Sequence, residues 1–289
     1  MPKKNLLICF DAFGTLFAPK RPIAQQYGEV ARSLGLGGFT DEQLQDSFKK
    51  AFKAEAKTNP NFGKANGMDA TAWWTNNTFQ PLVGGQQKIH ADLAPKLLHR
   101  FASAEGYTLA PGAKRLLRGL RKPVDGSEGR TVVGLITNSD DRVPGVLSSL
   151  GLTVSPLRYG NTSFSNFDKA KQYDIDFSVM SYDVGCEKPD KRIFSAAEEI
   201  WRQLPGSADP RDDEWDKVYV GDEYGKDVVG AQVAGWHSVL IAEDRSNLPQ
   251  DVVDIEKKQP GDLSTLLQDQ QSNVAISSLE RLANWFGIP

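Results

Sequence analysis

NLLICFDAFGTLF, residues 5–17, opens with five apolar residues, Leu6 to Phe10, that run without alternation and stop at a carboxylate, Asp11. A continuous apolar run of that length reads as a strand buried on both faces, which means a parallel sheet flanked by helices. In open α/β sheets the chemistry gathers at the carboxyl ends of the strands. Asp11 stands at such an end, and Gly14 behind it lets the backbone turn sharply. An ionised Asp beside so much apolar surface is costly unless paired. A metal ion or a Lys is the expected partner.

The same logic recurs downstream. Thr131–Asn138 (TVVGLITN) is a second apolar strand ending in polar groups, Phe177–Ser181 a third, Val218–Asp222 (VYVGD) a fourth, ending again in a carboxylate, and Ser238–Ala242 a fifth. Helical spacing covers Pro111–Leu120, Pro144–Leu150, Arg192–Gln203, Asp227–Ala234 and Ser277–Phe286. Strands alternating with helices predict an α/β, doubly wound, parallel-sheet Rossmann-like core. Lys122–Arg130, Thr153–Tyr173, Pro205–Asp216 and Ser246–Asn273 read as polar loops or surface insertions.

Between Ile23 and Tyr107 the character changes, and no strand signal is found. Tyr27, Val30, Ala31 and Leu34 form one helical stripe that ends at Gly35, Gly37 and Gly38. Thr40 and Gln43 have the spacing of a capping box before a helix with Leu44, Phe48 and Phe52 facing inward. Further helices are expected over Ala70–Phe79, with Trp73 and Trp74 in a core, and over Ile89–Glu105. This stretch is a helical domain inserted after the first strand.

The 289 residues are 39% hydrophobic and 25% charged with a net charge of -3, ordinary for a soluble globular protein and without the basic bias of a nucleic-acid partner. No apolar run approaches the roughly 20 residues of a membrane span. Cys9 and Cys186 are expected as free thiols, and the immediate entry into the first strand leaves no room for a presequence. The expectation is an intracellular, cytoplasmic or nuclear protein, monomeric or weakly dimeric, with no nucleic-acid and no membrane partner.

On one parallel sheet, Asp11, Thr137-Asn138, Lys188, and Asp222 with Asp227 would converge on one face. Asp11 and Asp222 can hold Mg²⁺ through oxygen ligands. Lys188 neutralises an incoming phosphate, Thr137 donates to its oxygens, and Asp11 attacks phosphorus to form an aspartyl-phosphate. Asp227 is either a further metal ligand or a helix N-terminal carboxylate held by the dipole.

In order and spacing these motifs resemble the haloacid dehalogenase (HAD) superfamily. Its D-x-D-x-T is here Asp11-Ala12-Phe13-Gly14-Thr15. Its hydrophobic strand ending in Ser/Thr is Leu135-Ile136-Thr137, its Lys lies in Glu187-Lys188-Pro189-Asp190, and its G-D-x-x-x-x-D is Gly221-Asp222 to Asp227. Residues 59–79 (NPNFG, then WWTNNTF) are most similar to the branch containing the human haloacid dehalogenase-like hydrolase domain-containing protein 3. The resemblance implies a core of residues 1–18 and 109–289 and a helical C1 cap of residues 19–108 that closes over the site and chooses the substrate. It implies a Mg²⁺-dependent hydrolase acting on a small phosphorylated metabolite. The catalytic residues would be Asp11, Thr137 and Lys188, the substrate-binding residues Thr137, Asn138 and Lys188, and the metal ligands Asp11, the Phe13 backbone carbonyl, Asp222 and Asp227.

One position departs from that pattern. HAD phosphatases carry a second Asp two residues after the nucleophile, which protonates the leaving group, and here Phe13 stands in its place. Slow turnover, or a need for a good leaving group, follows. Asp140 and Asp141 are the candidate substitutes. Two rival readings remain: a metal-independent 2-haloacid dehalogenase, which has an aromatic residue at the same place, and a phospho-ligand or partner-binding protein with little turnover. His90, His99 and His237 are expected at structural positions, Cys186 as an inert thiol, and the run 209–216 as a solvated loop.

Overall fold

The computed structural model describes residues 5–78, 90–121, 129–161, 168, 171–204, 215–258 and 273–289. In chain order the elements are β1 (Asn5–Phe10), β2 (Phe17–Pro19), α1 (Ile23–Ser33), α2 (Asp41–Thr58), α3 (Ala70–Thr78), α4 (Leu93–Arg100), β3 (Tyr107–Leu109), α5 (Ala113–Gly119), β4 (Thr131–Thr137), α6 (Val143–Ser149), β5 (Phe177–Met180), α7 (Ser181–Val184), α8 (Arg192–Arg202), β6 (Trp215–Gly221), α9 (Val229–Val233), β7 (His237–Ile241), β8 (Val253–Asp254), β9 (Asn273–Ile276) and α10 (Leu279–Trp285). The loops expected at 122–130, 153–173, 205–216 and 246–273 lie in part outside the described residues, as do Phe79, Ile89 and most of the acidic run 209–216. Two compact units result: Met1–Ala18, Leu109–Asn138 and Leu152–Pro289 in one, Pro19–Thr108 and Ser139–Gly151 in the other.

The first unit is built on a seven-stranded sheet in the order β5-β4-β1-β6-β7-β9-β8. Every pairing is parallel. Leu7 to Phe10 are 0% exposed, which is the continuous burial that the apolar run predicts. Phe10 pairs with Leu135 on one side and with Val220 on the other. The ends of β1, β4 and β6 therefore come level. The chain leaves β1 for β4 on one side and later enters β6 on the other, so Asp11 sits at the point where strand order reverses.

One face of this sheet is covered by α8, whose Ile193, Phe194, Ala197, Ile200 and Trp201 recur at helical spacing and are buried. They pack in one cluster with Phe177, Tyr219 and Trp236. Burying each such side chain contributes about 1.5–3 kcal/mol.

The strands β8 and β9 extend the sheet, β8 inside the segment 246–273 expected to be loop and β9 from its last residue, Asn273, onward. They are two and four residues long, too short to show a period. Asn273 is buried in β9 because its amide is satisfied, accepting from Ser238 Oγ at 2.8 Å and donating to Asp251 at 3.1 Å.

In the second unit α1, α2, α3 and α4 follow the predicted helices. Thr40 and Gln43 form the capping box, with hydrogen bonds of 3.2 and 2.8 Å. Tyr27 packs against Phe48 and Phe101, with ring centroids 5.3 and 5.2 Å apart. Phe52, expected to face inward, is 39% exposed; it lies against Phe48 and Trp73 on the margin of this aromatic cluster. The last helix of the insertion is shorter than its expected span, because the Gly106 N–H turns back to donate to the Arg100 carbonyl at 3.0 Å. β2 and β3, not expected, pair as a two-stranded sheet where the chain passes between units. No helix among the described residues is long and apolar enough to cross a membrane.

Candidate active site

The sheet unit brings Asp11, Thr137, Lys188, Asp222 and Asp227 together at the carboxyl ends of β1, β4 and β6. Asp11 follows β1 directly and its N–H donates to the Val220 carbonyl at 2.8 Å, so β6 holds the backbone that carries the carboxylate. Thr137 ends β4, is 2% exposed, and its hydroxyl counters the rise of the Asp11 pKa. The Lys188 ammonium lies 2.7 Å from Asp11 Oδ1, 2.8 Å from Asp227 Oδ1 and 2.6 Å from the Tyr219 hydroxyl. An ammonium has three N–H donors, and all three are engaged.

Asn138 reaches across to the Lys188 main chain. It accepts from the Lys188 N–H at 2.7 Å and donates to the Lys188 carbonyl at 3.1 Å. These two bonds fix the loop that delivers the ammonium. One N–H of the Asn138 amide is what it has left to offer a substrate.

Asp222, just past β6, accepts from the Thr15 hydroxyl at 3.0 Å. Gly14, at φ 89°, permits this approach, since a Cβ there would fall 2.3 Å from Asp222 Oδ2. A Cβ on Gly221 would fall 2.2 Å from Asp227 Oδ2. The five-residue step from Asp222 to Asp227 is taken up by a π-helical turn, Tyr224–Val228, which carries Asp227 back beside Lys188. The second oxygen of Asp227 accepts from the Glu223 N–H at 2.8 Å.

Carboxylate oxygens of Asp11, Asp222 and Asp227 all lie within 4.8 Å of one another. Three carboxylates face one ammonium. Burial raises the Asp11 pKa, and the neighbouring Asp227 charge adds to the rise against the pull of Lys188. Burial and the Asp11 charge push Asp222 up to about 6. Burial works against the Lys188 ammonium, but Asp11 and Asp227 outweigh it and hold the group above its ordinary range. An all-oxygen donor set with excess negative charge, kept clear by two glycines, fits a hard divalent cation such as Mg²⁺.

Tyr219 and Thr15 are site residues whose partners the sequence reading did not identify. Tyr219 donates to the Ile136 carbonyl at 2.6 Å while accepting from Lys188. Its signal was a hydroxyl inside a strand buried on both faces, which must find a partner.

Phe13 is 47% exposed and meets Phe17 edge-on with centroids 6.1 Å apart. The proposed substitute acid Asp140 belongs to the helical unit and is spoken for. It accepts from Arg142 Nε and Nη2 at 2.8 and 2.7 Å, from the Arg142 N–H at 3.1 Å and from Trp74 Nε1 at 2.8 Å. Burial drives its pKa up, but Arg142 and Trp74 together bring it below the ordinary carboxylate value. So stabilised an anion is a poor proton donor, which corrects that expectation for Asp140.

Trp73 is 1% exposed, and the Arg142 guanidinium carbon lies 4.7 Å from the Trp74 ring centre, so both indoles are engaged within the helical unit. His237 pairs with Val218, four residues before Asp222 along parallel strands and thus about 13 Å from the strand ends. His90 and His99 belong to the helical unit and are exposed. Cys186 is buried, and burial pushes its thiol pKa up, which leaves it unreactive.

Comparison with known proteins follows the same line. The sequence pattern of the family described as haloacid dehalogenase-like hydrolase matches residues 6–235. The mouse haloacid dehalogenase-like hydrolase domain-containing protein 3 is 28% identical over 239 residues, covering 82% of this chain and 81% of that protein. The HAD phosphatase from Thermococcus onnurineus is 18% identical with a TM-score of 0.52, over 99% of this chain and 98% of that one. The 2-haloacid dehalogenase from Pseudomonas syringae pv. Tomato DC3000 is also 18% identical with a TM-score of 0.52, over 99% of both chains. A phosphatase and a dehalogenase thus share this fold equally, and the fold does not choose between their chemistries.

Proposed function

The chain belongs to the haloacid dehalogenase-like hydrolases, and we propose that within that family it is a Mg²⁺-dependent phosphoric monoester hydrolase acting on a small phosphorylated metabolite. The observation that carries this reading is the charge imbalance: Asp222 is a third carboxylate for which Lys188 has no N–H left. A dehalogenase that works without a metal has no use for it. Asp11, Asp222, the Phe13 carbonyl and the Asp227 oxygens are the groups that would hold the cation. When bound there, Mg²⁺ would offset the carboxylates and the charge of an incoming phosphate.

The chain's own residues supply the rest. Asp11 is the nucleophile: its carboxylate oxygen attacks phosphorus and the bond to the leaving group breaks. Lys188, pinned by Asp227 and Tyr219, fixes the orientation of Asp11 and keeps it charged. Thr137, at the end of β4, is the hydroxyl that would donate to a phosphoryl oxygen. Asn138 anchors the Lys188 loop and retains one N–H for substrate.

The test is hydrolysis of p-nitrophenyl phosphate with and without Mg²⁺, by wild type and Asp11→Asn. Its phenolate leaves without a proton, so Phe13 does not mask the chemistry. Mg²⁺-dependent release that falls at least about 10³-fold in Asp11→Asn is expected. Turnover of a 2-haloacid in chelator, with none of the phosphate ester, would favour the dehalogenase, which Phe13 supports. Tight Mg²⁺ binding without any turnover would favour a ligand-binding role.

A further inference from the structure

Phosphoryl transfer through Asp11 has two halves, and the sheet unit is equipped unequally for them. In the first, an Asp11 oxygen bonds to phosphorus and the leaving group departs with the electron pair. A weakly basic leaving group, such as a phenolate or a carboxylate, needs no proton. In the second, a water oxygen bonds to phosphorus, the bond to Asp11 breaks, and the water's proton must be taken up by a base. General base catalysis contributes about 10²–10⁴-fold to such a step.

Within the sheet unit, the described groups around Asp11 are each committed elsewhere. Phe13, two residues on, presents a phenyl ring. Asp227 has one oxygen on Lys188 and the other on the Glu223 N–H. Asp222 accepts from Thr15 and belongs to the cation set. Lys188 is an ammonium with its N–H groups committed, and the Tyr219 hydroxyl donates to Ile136. His237 lies about 13 Å down the sheet from the strand ends.

We infer that phosphorylated Asp11 outlives the leaving group, so that phosphoryl donors with weakly basic leaving groups, aryl and acyl phosphates, load the protein faster than water unloads it. This rests on the phosphoryl-transfer reading above and adds to it that the covalent form accumulates and that its hydrolysis limits turnover. Asp11 becomes a modification site as well as a nucleophile.

The experiment mixes the protein with excess p-nitrophenyl phosphate in Mg²⁺ buffer and follows release in the first turnovers. A burst of about one nitrophenol per chain, then a slow linear phase, is expected. Acid-quenched samples then carry the mass of one phosphoryl group on the peptide that contains Asp11. Phe13→Asp, at an exposed position, supplies a carboxylate; it should erase the burst and raise the steady rate about 10²-fold. Linear release from the first turnover without a phosphorylated peptide, but lost in Asp11→Asn, overturns the inference and leaves the phosphatase reading standing. Neither release nor adduct overturns both.

Discussion

Asp11 in the sheet unit and Asp140 in the helical unit are both buried carboxylates, 7% and 2% exposed, and each is bonded to a cation beside an aromatic side chain. Their acidities move in opposite directions. Burial pushes both up, but at Asp140 the Arg142 guanidinium and the Trp74 indole prevail and the pKa falls. At Asp11, Lys188 must also serve Asp227, whose charge adds to burial, and the pKa rises. One cluster is neutral and closed, with one anion to one cation and every oxygen satisfied. The other carries surplus anions at the end of a sheet. The lesson is that a buried ion pair by itself says little about function, whereas an unbalanced one calls for something from outside the chain.

The largest effect that tests this contrast is removal of the cation from each cluster. Lys188→Met leaves Asp11 and Asp227 buried without a counter-charge. It should cost about 3–5 kcal/mol at neutral pH and abolish turnover. Arg142→Met should cost a comparable amount, because Asp140 is left alone in the same way. The two differ in what restores them. Saturating Mg²⁺ should recover part of the lost stability in Lys188→Met and none in Arg142→Met, measured by urea unfolding. Equal recovery in both would erase the distinction between the clusters.

Removing a carboxylate should produce effects of opposite sign. Asp140→Asn strips Arg142 of its partner and should destabilise by about 2–3 kcal/mol. Asp222→Asn removes a surplus charge and, discounted for its partial exposure, should stabilise the metal-free protein by about 1 kcal/mol at pH 7 while abolishing Mg²⁺ binding. The pH dependence separates them further. The folded-state pKa of Asp140 is depressed, so its contribution is present above about pH 4 and is lost as pH falls through the folded value. Asp222 is raised to about 6, so between about pH 4 and 6 the folded protein holds a proton that the unfolded chain has lost. Metal-free stability therefore falls as pH rises through that window. The Asp222→Asn curve should be flatter there, and an unchanged slope would mean that Asp222 is not in surplus.

How much of this was legible in the sequence depends on the distance over which each signal acts. Asp11, Thr137 and Asp222 announced themselves because they stand at or just after strand ends, and parallel register brings strand ends level. Lys188 lies beyond β5 and α7 and was legible only as the motif Glu187-Lys188-Pro189-Asp190. The core strands were legible for the same reason: burial on both faces writes a continuous apolar run. β8 and β9 were not, since two and four residues carry no period and the buried Asn273 depends on Ser238 and Asp251. Asp140 misled because its nearness to Thr137 in sequence suggested a role in the same chemistry. Its partners are Arg142, two residues on, and Trp74, separated by 66 residues, and the second leaves no trace in the local sequence. Thr15 was read as a motif residue, and its bond to Asp222 spans 207 positions. Phe52 obeyed the helical period yet fell at the margin of its cluster, which periodicity does not locate.

The smallest effect is the most diagnostic for the site's precision, because it removes one oxygen and leaves the shape intact. Tyr219→Phe keeps the ring that packs edge-on against Phe194 at 5.2 Å and deletes the hydroxyl between Lys188 and Ile136. One ammonium N–H then lacks its acceptor, and the nearest remaining one is the Ile136 carbonyl at 3.4 Å, itself freed by the change. The ammonium should tilt toward Ile136 and loosen its hold on Asp11. A loss of about 1 kcal/mol corresponds to a roughly fivefold slower first turnover of p-nitrophenyl phosphate. The substrate concentration for half-saturation should stay the same, because Tyr219 acts on the nucleophile through Lys188 and not on the bound phosphate. A lower Tm with an unchanged first-turnover rate would reduce Tyr219 to packing. A rise in half-saturation instead would mean that Lys188 gives up its bond to Asp11 when phosphate arrives, and that the ammonium serves substrate before nucleophile.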